Sequence, residues 1–199
     1  MSTDNVVDTK RRRFLVNSTS VIAAVGAGFV AVPFLSSWMP SERAKNAGAP
    51  VEIDISKMQD GQLLIVEWQS KPVWIVKRSA KTLSDLVTLD DRLSDPNSEN
   101  IDQQPGYAQN ANRSIKPEIS VLVGICTHLG CSPTFRPEIG AADLGSDWLG
   151  GFFCPCHSSK FDLAGRVYQG VPAPTNLVVP PHNYVSGNVI IIGVDEEAA

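Results

Sequence analysis

The sequence S-V-L-V-G-I-C-T-H-L-G-C-S-P, residues 120–133, joins an apolar run to a cluster of cysteine and histidine. The apolar part, 120–125, is predicted to form a buried β-strand that ends at Cys126. A second cluster follows later in the chain as Cys154-Pro-Cys156-His157. The two clusters together contain every cysteine of the chain and two of its three histidines. This concentration predicts one metal centre held by two loops.

The ligand types in these clusters narrow the choice of metal. Cysteine thiolates and imidazoles favour zinc or iron over magnesium or calcium. Three interpretations remain open: a structural zinc site, a framework of disulfides, or a centre of two irons bridged by two sulfides. A disulfide between Cys131 and Cys156 would suit a domain that is exported from the cytoplasm. The two-iron centre is the interpretation that uses all six cysteine and histidine residues.

The N-terminal part of the chain predicts a membrane anchor. Residues 14–41 contain no charged side chain, and 21–35 are almost wholly apolar. About 20 such residues cross the hydrocarbon layer of roughly 30 Å as a helix. This run is longer than the core of a cleavable signal peptide. We therefore expect a retained transmembrane helix at 14–38, which anchors the chain in the lipid bilayer.

The charges before the anchor predict its orientation. Lys10, Arg11, Arg12 and Arg13 stand directly before the apolar run, so the tail, 1–13, is expected in the cytoplasm. Arg11 and Arg12 also resemble a twin-arginine export signal, although Lys10 stands where that signal usually has Ser or Thr. No Arg/Ser-rich transit peptide is visible. These features favour the inner membrane of a bacterium, crossed once, with the rest of the chain in the periplasm.

Residues 39–50 are small and polar, with proline at both ends, and predict a flexible tether. The remaining part, 51–199, is expected to be a head domain. Residues 14–199 carry about six negative charges, and no basic patch with interleaved aromatics is present. No nucleic-acid partner is therefore expected. No Ser/His/Asp set or close pair of carboxylates indicates hydrolase chemistry.

The head is predicted to be mainly β, an antiparallel sandwich or barrel of short strands. Asp60-Gly61 is typical of a hairpin turn. One helix is expected at 82–93, capped by Thr82 or Ser84, and a loop at 94–112. His182 is expected on a solvated loop after two prolines. The strands are predicted at 51–55, 62–68, 72–78, 120–125 and 188–193, and the residues expected to be core or edge aromatics are Trp68, Trp74, Trp148 and Tyr168.

Three motifs make a family resemblance specific: C-T-H-L-G-C-S-P, then G-G-F-F-C-P-C-H-S-S-K-F-D, then G-V-P-A-P-T-N-L. They resemble the Rieske iron–sulfur protein of the cytochrome bc1 complex, and the resemblance covers the whole chain. It implies a Rieske-type fold with a small cluster-binding subdomain at about 121–175 and one [2Fe-2S] cluster. It implies that Cys126 and Cys154 bind the inner iron and that His128 and His157 bind the outer iron. The remaining residues of the set, Cys131 and Cys156, would form a disulfide.

The resemblance also marks two departures from the family pattern. The last histidine ligand is usually followed by Gly-Ser, whereas this chain has Ser158-Ser159. Ser159 occupies the position whose hydroxyl bonds a bridging sulfide. Phe161 stands where many relatives have a tyrosine whose hydroxyl bonds a ligand sulfur. Because such bonds stabilise the reduced cluster, Phe161 implies a lower potential than a tyrosine would give.

The family further implies an activity, quinol–cytochrome c reductase. The subunit would take one electron and one proton from ubiquinol on cytochrome b, with His157 accepting the hydrogen bond of the quinol hydroxyl, and deliver the electron to cytochrome c1. The setting would be a respiratory or photosynthetic electron transport chain. Leu129 would belong to an apolar docking tip, or would alternatively serve packing. Gly170, Pro172 and Pro174 would form a loop that covers the cluster, and the complex would be a dimer.

Two alternatives remain from the sequence. One is the Rieske subunit of another exported redox enzyme, such as arsenite oxidase, which also carries a twin-arginine signal. The other is a membrane-tethered structural zinc module with no role in electron transfer.

Electron paramagnetic resonance of the reduced protein distinguishes a zinc site from an iron–sulfur centre, because zinc gives no signal. Copurification with cytochromes b and c1 separates the two redox interpretations.

Overall fold

The computed structural model describes residues 8–42, 44 and 48–195. The chain forms two compact units, residues 1–46 and 47–199. Part of the predicted cytoplasmic tail, 1–7, and part of the predicted tether, 43 and 45–47, lie outside the described residues.

The first unit contains helix α1, Thr9–Ser36. The helix begins before the predicted start because the Asp8 carboxylate caps it, accepting from the backbone N–H groups of Lys10 and Arg11. The basic residues are therefore part of its first turns. Among the described residues, α1 is the one helix long and apolar enough to cross a membrane. Its length, about 42 Å at 1.5 Å per residue, exceeds the hydrocarbon layer.

The second unit contains three small antiparallel sheets, each of three strands, which confirms the predicted mainly β head. The first sheet has the order β1-β9-β8, the second β2-β3-β4 and the third β5-β6-β7. The third sheet belongs to the part of the chain that carries the cysteine clusters. The strands are β1 (Val51–Asp54), β2 (Leu63–Trp68), β3 (Lys71–Lys77), β4 (Ile119–Val123), β5 (Thr134–Arg136), β6 (Gly151–Cys154), β7 (Ser159–Asp162), β8 (His182–Ser186) and β9 (Val189–Ile192).

Strand β3 lies at the centre of its sheet and is buried on both faces. Its side chains alternate, so that Trp74 and Val76 pack into one hydrophobic core while Val73 and Ile75 pack into another. A strand buried on both faces needs a continuous apolar run, which is the pattern the sequence shows at 73–76. The first of these cores also contains Cys126 and Cys154, so it supports the predicted metal centre directly.

The predicted hairpin turn at Asp60-Gly61 is wrong. Strand β1 pairs with β9, not with β2, so Asp60-Gly61 does not join two paired strands. The hairpin is formed by β2 and β3, and its turn is Gln69-Ser70, with φ of +52° and +58°. Two consecutive positive φ angles fit the twist of a two-residue hairpin, even without Asn or Gly.

The predicted helix at 82–93 is also displaced. Helix α2 is Ala80–Val87, and the Ser79 hydroxyl caps it by accepting from the Thr82 N–H. Thr82 and Ser84 are therefore not its caps. The chain beyond α2 forms a separate 3-10 turn, Asp90–Arg92. The predicted loop at 94–112 is confirmed, apart from two further 3-10 turns at Ile101–Gln103 and Gly106–Ala108.

His182 does not lie on a solvated loop as predicted. It begins strand β8 and is 1% exposed, with Nδ1 2.8 Å from the Pro180 carbonyl and the ring edge-on to Tyr107. Burial lowers the pKa of His182, because the charged imidazolium loses hydration there. The four aromatics expected in the core or at its edge are all buried: Trp68, Trp74, Trp148 and Tyr168.

Candidate metal centre

The first cluster loop follows strand β4 and closes on itself. The Cys126 N–H donates to the Cys131 carbonyl at 2.8 Å, and the Gly130 N–H donates to the Cys126 carbonyl at 3.0 Å. Gly130 has a φ of +83°, a backbone conformation that side chains disfavour. The turn therefore brings both ends of the C-T-H-L-G-C segment together.

The second cluster loop connects β6 to β7. Cys154 is the last residue of β6, Ser159 is the first of β7, and the two residues pair across the hairpin. The Ser158 N–H donates to the Cys154 carbonyl at 2.9 Å, with Ser158 at a φ of +62°. The hairpin thus fixes Cys154 at the edge of the core and presents Cys156 and His157 at the surface.

A disulfide joins the two loops through Cys131 and Cys156. The sulfurs of Cys131, Cys154 and Cys156 lie within 4.8 Å of one another. Sulfurs that are bonded to each other carry no thiolate charge, so this trio is not a metal site by itself. Cys126 and Cys154 are free and buried, so these two thiols are the ones available to bind a metal.

The two histidines of the clusters stand next to each other on the outer side of these thiols. The ring centroids of His128 and His157 are 4.7 Å apart, and the rings are edge to face. His157 is exposed and His128 is half-buried. Within the described part of the chain, the buried Nδ1 of His128 has no hydrogen-bond partner. Such a nitrogen is costly to leave unpaired, and a metal ion would satisfy it.

The buried thiols need a nearby cation in order to act as thiolate ligands. Burial raises the pKa of the Cys126 thiol, and the neighbouring Cys154 raises it further. Polar groups of the His128 backbone and the Ser159 side chain oppose this rise in the pKa. Two adjacent buried thiolates would be stable only with a compensating positive charge. Two thiols and two imidazoles therefore fit a mixed Cys/His iron centre, which carries less negative charge than a centre held by four cysteines and accepts an electron more readily.

The Pro-rich loop, 170–174, is attached to both cluster loops. Gly170, Pro172 and Pro174 are exposed, whereas Ala173 is 4% exposed and donates its backbone N–H to the Ser159 Oγ at 3.0 Å. Thr127 Oγ1 donates to the Thr175 carbonyl at 2.7 Å, just beyond the loop. These contacts hold the loop against the loops that carry the candidate ligands.

The turn after β7 contains buried charges that were missed in the sequence. The Asp162 carboxylate accepts from the Arg166 Nε at 2.7 Å and from the backbone N–H groups of Ala164 and Arg166. Both side chains of this ion pair are almost fully buried. Removing one partner of such a pair leaves an unpaired buried charge and lowers the unfolding free energy by about 3 to 5 kcal/mol. No local pattern in the sequence distinguishes these residues from surface charges.

Leu129 and Phe161 occupy opposite environments. Leu129, between His128 and Gly130, is 71% exposed, which favours the docking role over the packing role. Phe161 on β7 is fully buried in the core that contains Cys126 and Cys154.

Comparison with known proteins gives separate evidence on the family of this chain. Residues 1–41 match the family model "Ubiquitinol-cytochrome C reductase Fe-S subunit TAT signal", and residues 100–181 match the model "Rieske [2Fe-2S] domain".

Three bacterial relatives are each described as "Ubiquinol-cytochrome c reductase iron-sulfur subunit". The protein of Allochromatium vinosum is 60% identical and aligns over 97% of this chain and 93% of its own length. That of Blastochloris viridis is 39% identical over 97% of this chain and 98% of its own. That of Bradyrhizobium diazoefficiens is 40% identical over 92% of this chain and 94% of its own. The chain therefore belongs to the family of Rieske iron–sulfur subunits of ubiquinol–cytochrome c reductase.

Proposed function

We propose that this chain, as the [2Fe-2S] subunit of a cytochrome bc1 complex, takes electrons from ubiquinol on cytochrome b and passes them to cytochrome c1. The observation that carries the proposal is the convergence of two buried thiols and two outward imidazoles on disulfide-linked loops. The high identity to iron–sulfur subunits along almost the whole chain supports the same function. This identity favours a subunit of the bc1 complex over the Rieske subunit of arsenite oxidase and over a structural zinc module.

In this proposal Cys126 and Cys154 hold the inner iron, and His128 and His157 hold the outer iron. The contrast in burial supports this division, because both cysteines are 2% exposed whereas His157 is open to solvent. When bound, the cluster supplies a site that accepts one electron at a time. The disulfide keeps the loops together, so the four ligands need little rearrangement to bind iron.

His157 is the residue we propose to meet the quinol. A metal-bound imidazole has one ring nitrogen left, and on an exposed ring that nitrogen can accept the hydrogen bond of a quinol hydroxyl. The proton of that hydroxyl would move to this nitrogen when the quinol is oxidised. Because His128 is half-buried whereas His157 is exposed, His157 is the better candidate.

Leu129 and the exposed prolines would form the surface that docks on cytochrome b. Leu129, Pro172 and Pro174 are all exposed and belong to loops that flank the candidate ligands. An apolar side chain that is 71% exposed beside a reactive centre favours a contact that excludes water when the partner binds.

We further propose that α1 crosses the inner membrane with residues 1–13 in the cytoplasm and the head in the periplasm. The basic residues at 10–13, with no acidic residue among them, support this orientation. Residues 39–50 would be the tether that lets the head reach two partners in turn. By family resemblance, the complex would work as a dimer.

The test uses the bc1 complex purified from membranes that express the full chain. His157→Ala should lose both the reduced-state electron paramagnetic resonance signal and ubiquinol-dependent reduction of cytochrome c. Leu129→Ala should keep the signal and lose most of the turnover. Ile139→Ala, a matched change at another exposed apolar residue, should leave both unchanged. Normal turnover in His157→Ala, or failure of the chain to copurify with cytochromes b and c1, would refute the proposal.

A further inference from the structure

Three cysteine sulfurs meet between the two cluster loops, and one of them belongs to a free thiol. The sulfurs of the Cys131–Cys156 disulfide and of Cys154 lie within 4.8 Å of one another. This separation exceeds van der Waals contact by only about 1 Å. Cys126, the other free thiol, does not belong to this group of three. A free thiol beside a disulfide is the arrangement that thiol–disulfide exchange requires, because the attacking sulfur must reach one sulfur of the bond.

The surroundings of the disulfide favour one direction of exchange. Cys131 is half-buried and packs against the hydrophobic core that contains Cys154, whereas Cys156 is exposed. An exposed sulfur is also the better leaving group, because water stabilises the thiolate that it becomes. Both features direct the attack of Cys154 to the Cys131 sulfur, with Cys156 as the sulfur that leaves.

We propose that in the metal-free chain Cys154 exchanges with the disulfide, so that the bond between Cys131 and Cys156 breaks and a bond between Cys131 and Cys154 forms. The Cys154 thiol gives up its proton, and the released Cys156 sulfur takes one up. Because one disulfide breaks while another forms, the step needs no external oxidant or reductant. The new bond still joins the two cluster loops, since Cys156 lies in the turn of the hairpin that begins at Cys154.

The exchange affects which chains can bind iron, a consequence that rests on the proposed ligation of iron by Cys154. The exchanged chain has lost the buried thiol of Cys154 and carries a free thiol at the exposed Cys156 instead. It therefore lacks one of the four proposed ligands until the exchange reverses. When Cys154 binds iron, its sulfur is no longer free to attack. Loading with the centre thus draws the chain to the native disulfide, as expected when a ligand binds only one of two states.

The experiment starts from the full-length wild-type chain in detergent, carrying its iron–sulfur centre. The centre is removed with an iron chelator in the absence of oxygen and added thiol, and samples are quenched in acid at intervals. Free thiols are then labelled with a maleimide, and fragment ions in mass spectrometry locate the label. After removal, the label on Cys156 should rise at least about tenfold while the label on Cys154 falls, because the attacking sulfur is already held near the bond.

Two matched variants identify the thiol that attacks, since each lacks one proposed ligand and should be isolated without iron. Cys126→Ser keeps the attacking thiol and should be labelled at Cys156. Cys154→Ser should keep the bond between Cys131 and Cys156 and remain unlabelled there. In urea the remaining free thiol of either variant can reach the disulfide, so the difference between the two variants should disappear when the chain is unfolded.

A Cys156 that stays unlabelled in both the metal-free wild-type chain and Cys126→Ser overturns the inference. Equal labelling of Cys156 in folded Cys154→Ser and Cys126→Ser also overturns it. Strong labelling of Cys156 in the loaded wild-type chain would instead refute the ligation of iron by Cys154, because a coordinated sulfur cannot attack. If the wild-type chain contains no iron–sulfur centre, the proposed function fails, and the comparison of the two variants still decides the exchange.

Discussion

Gly124 lies against the indole of Trp74 so closely that a Cβ added to Gly124 would be 2.2 Å from Trp74 Cε2. Trp74 in turn stacks on Phe152, with ring centroids 4.6 Å apart. Gly124 directly follows β4 and precedes Cys126, whereas Phe152 lies on β6, which ends at Cys154. The two strands that lead to the buried thiols are thus held together through one tryptophan.

Replacing Gly124 by alanine should therefore destabilise the head. The added methyl group has no free volume, and overpacking of this kind costs about 1 to 3 kcal/mol. The free energy of unfolding in urea measures the effect. Gly187→Ala is the matched control, because nothing lies within 4 Å of its added Cβ. Equal stability of Gly124→Ala and Gly187→Ala would show that the Trp74 contact is not tight.

Ser158 is a serine in a left-handed backbone conformation, with a φ of +62°. This conformation costs roughly 1 to 2 kcal/mol for a residue with a side chain and little for glycine. Ser158→Gly, which restores the usual family residue, should raise the unfolding free energy by about 1 kcal/mol. Ser132→Gly, a control at an exposed serine without a positive φ, should not stabilise. A lower melting temperature for Ser158→Gly would contradict the strain argument.

Phe161→Tyr should raise the midpoint potential. Phe161 is buried in the same core as Cys126 and Cys154, and a hydroxyl at this position would donate to a ligand sulfur, as family resemblance indicates. If the bond favours the reduced state by about 1 kcal/mol, the potential rises by roughly 40 mV. Phe153→Tyr is the control, because Phe153 faces away from the core of Phe161 and packs against the core that contains Trp148 and Tyr168. This substitution should leave the midpoint potential unchanged. A redox titration with an unchanged or lower potential in Phe161→Tyr would reject the prediction.

The buried His182 predicts a dependence of stability on pH. Its pKa in the folded state lies below the ordinary value of 6.5, mainly through burial, while the Pro180 carbonyl and the Asp195 carboxylate oppose this decrease. The unfolded chain therefore takes up a proton first as the pH falls below about 6.5, and the unfolding free energy falls by at most about 1.4 kcal/mol per pH unit. Below the folded-state pKa of His182, both the folded and the unfolded chain carry the proton, so this residue no longer changes the unfolding free energy.

His182→Gln should show a shallower dependence of unfolding free energy between pH 7 and pH 5 than the wild-type chain. The difference in slope is the quantity that matters, since the substitution also changes packing. Identical slopes in the two proteins would assign the pH dependence to other groups.

Several elements of the head were predictable because their signal is local. The apolar run at 73–76 and the strand before Cys126 follow from burial on both faces, which leaves a continuous hydrophobic pattern. Strands β5 to β8 were not predicted, since they are three to five residues long and too short to show a clear alternating pattern. The Gln69-Ser70 turn lacks the residues that usually mark a hairpin, whereas Asp60-Gly61 has them without forming one.

The candidate site was only partly predictable from the sequence. The pairing of Cys131 with Cys156 is confirmed, and the rings of His128 and His157 lie side by side. The binding of iron by Cys126, Cys154 and these two histidines stays a prediction. The contact of the Ala173 N–H with Ser159 was not visible, since a backbone N–H carries no pattern of its own. The burial of His182 was missed because its partners, Tyr107 and the Pro180 carbonyl, become neighbours only in the fold.

The content of iron and acid-labile sulfide in the isolated full-length chain tests the central claim most directly. Two irons and two sulfides per chain are expected, in keeping with the Rieske [2Fe-2S] domain, and both should be lost in His157→Ala. Zinc in place of iron, iron without labile sulfide, or an unchanged content in His157→Ala would contradict the centre described for this chain.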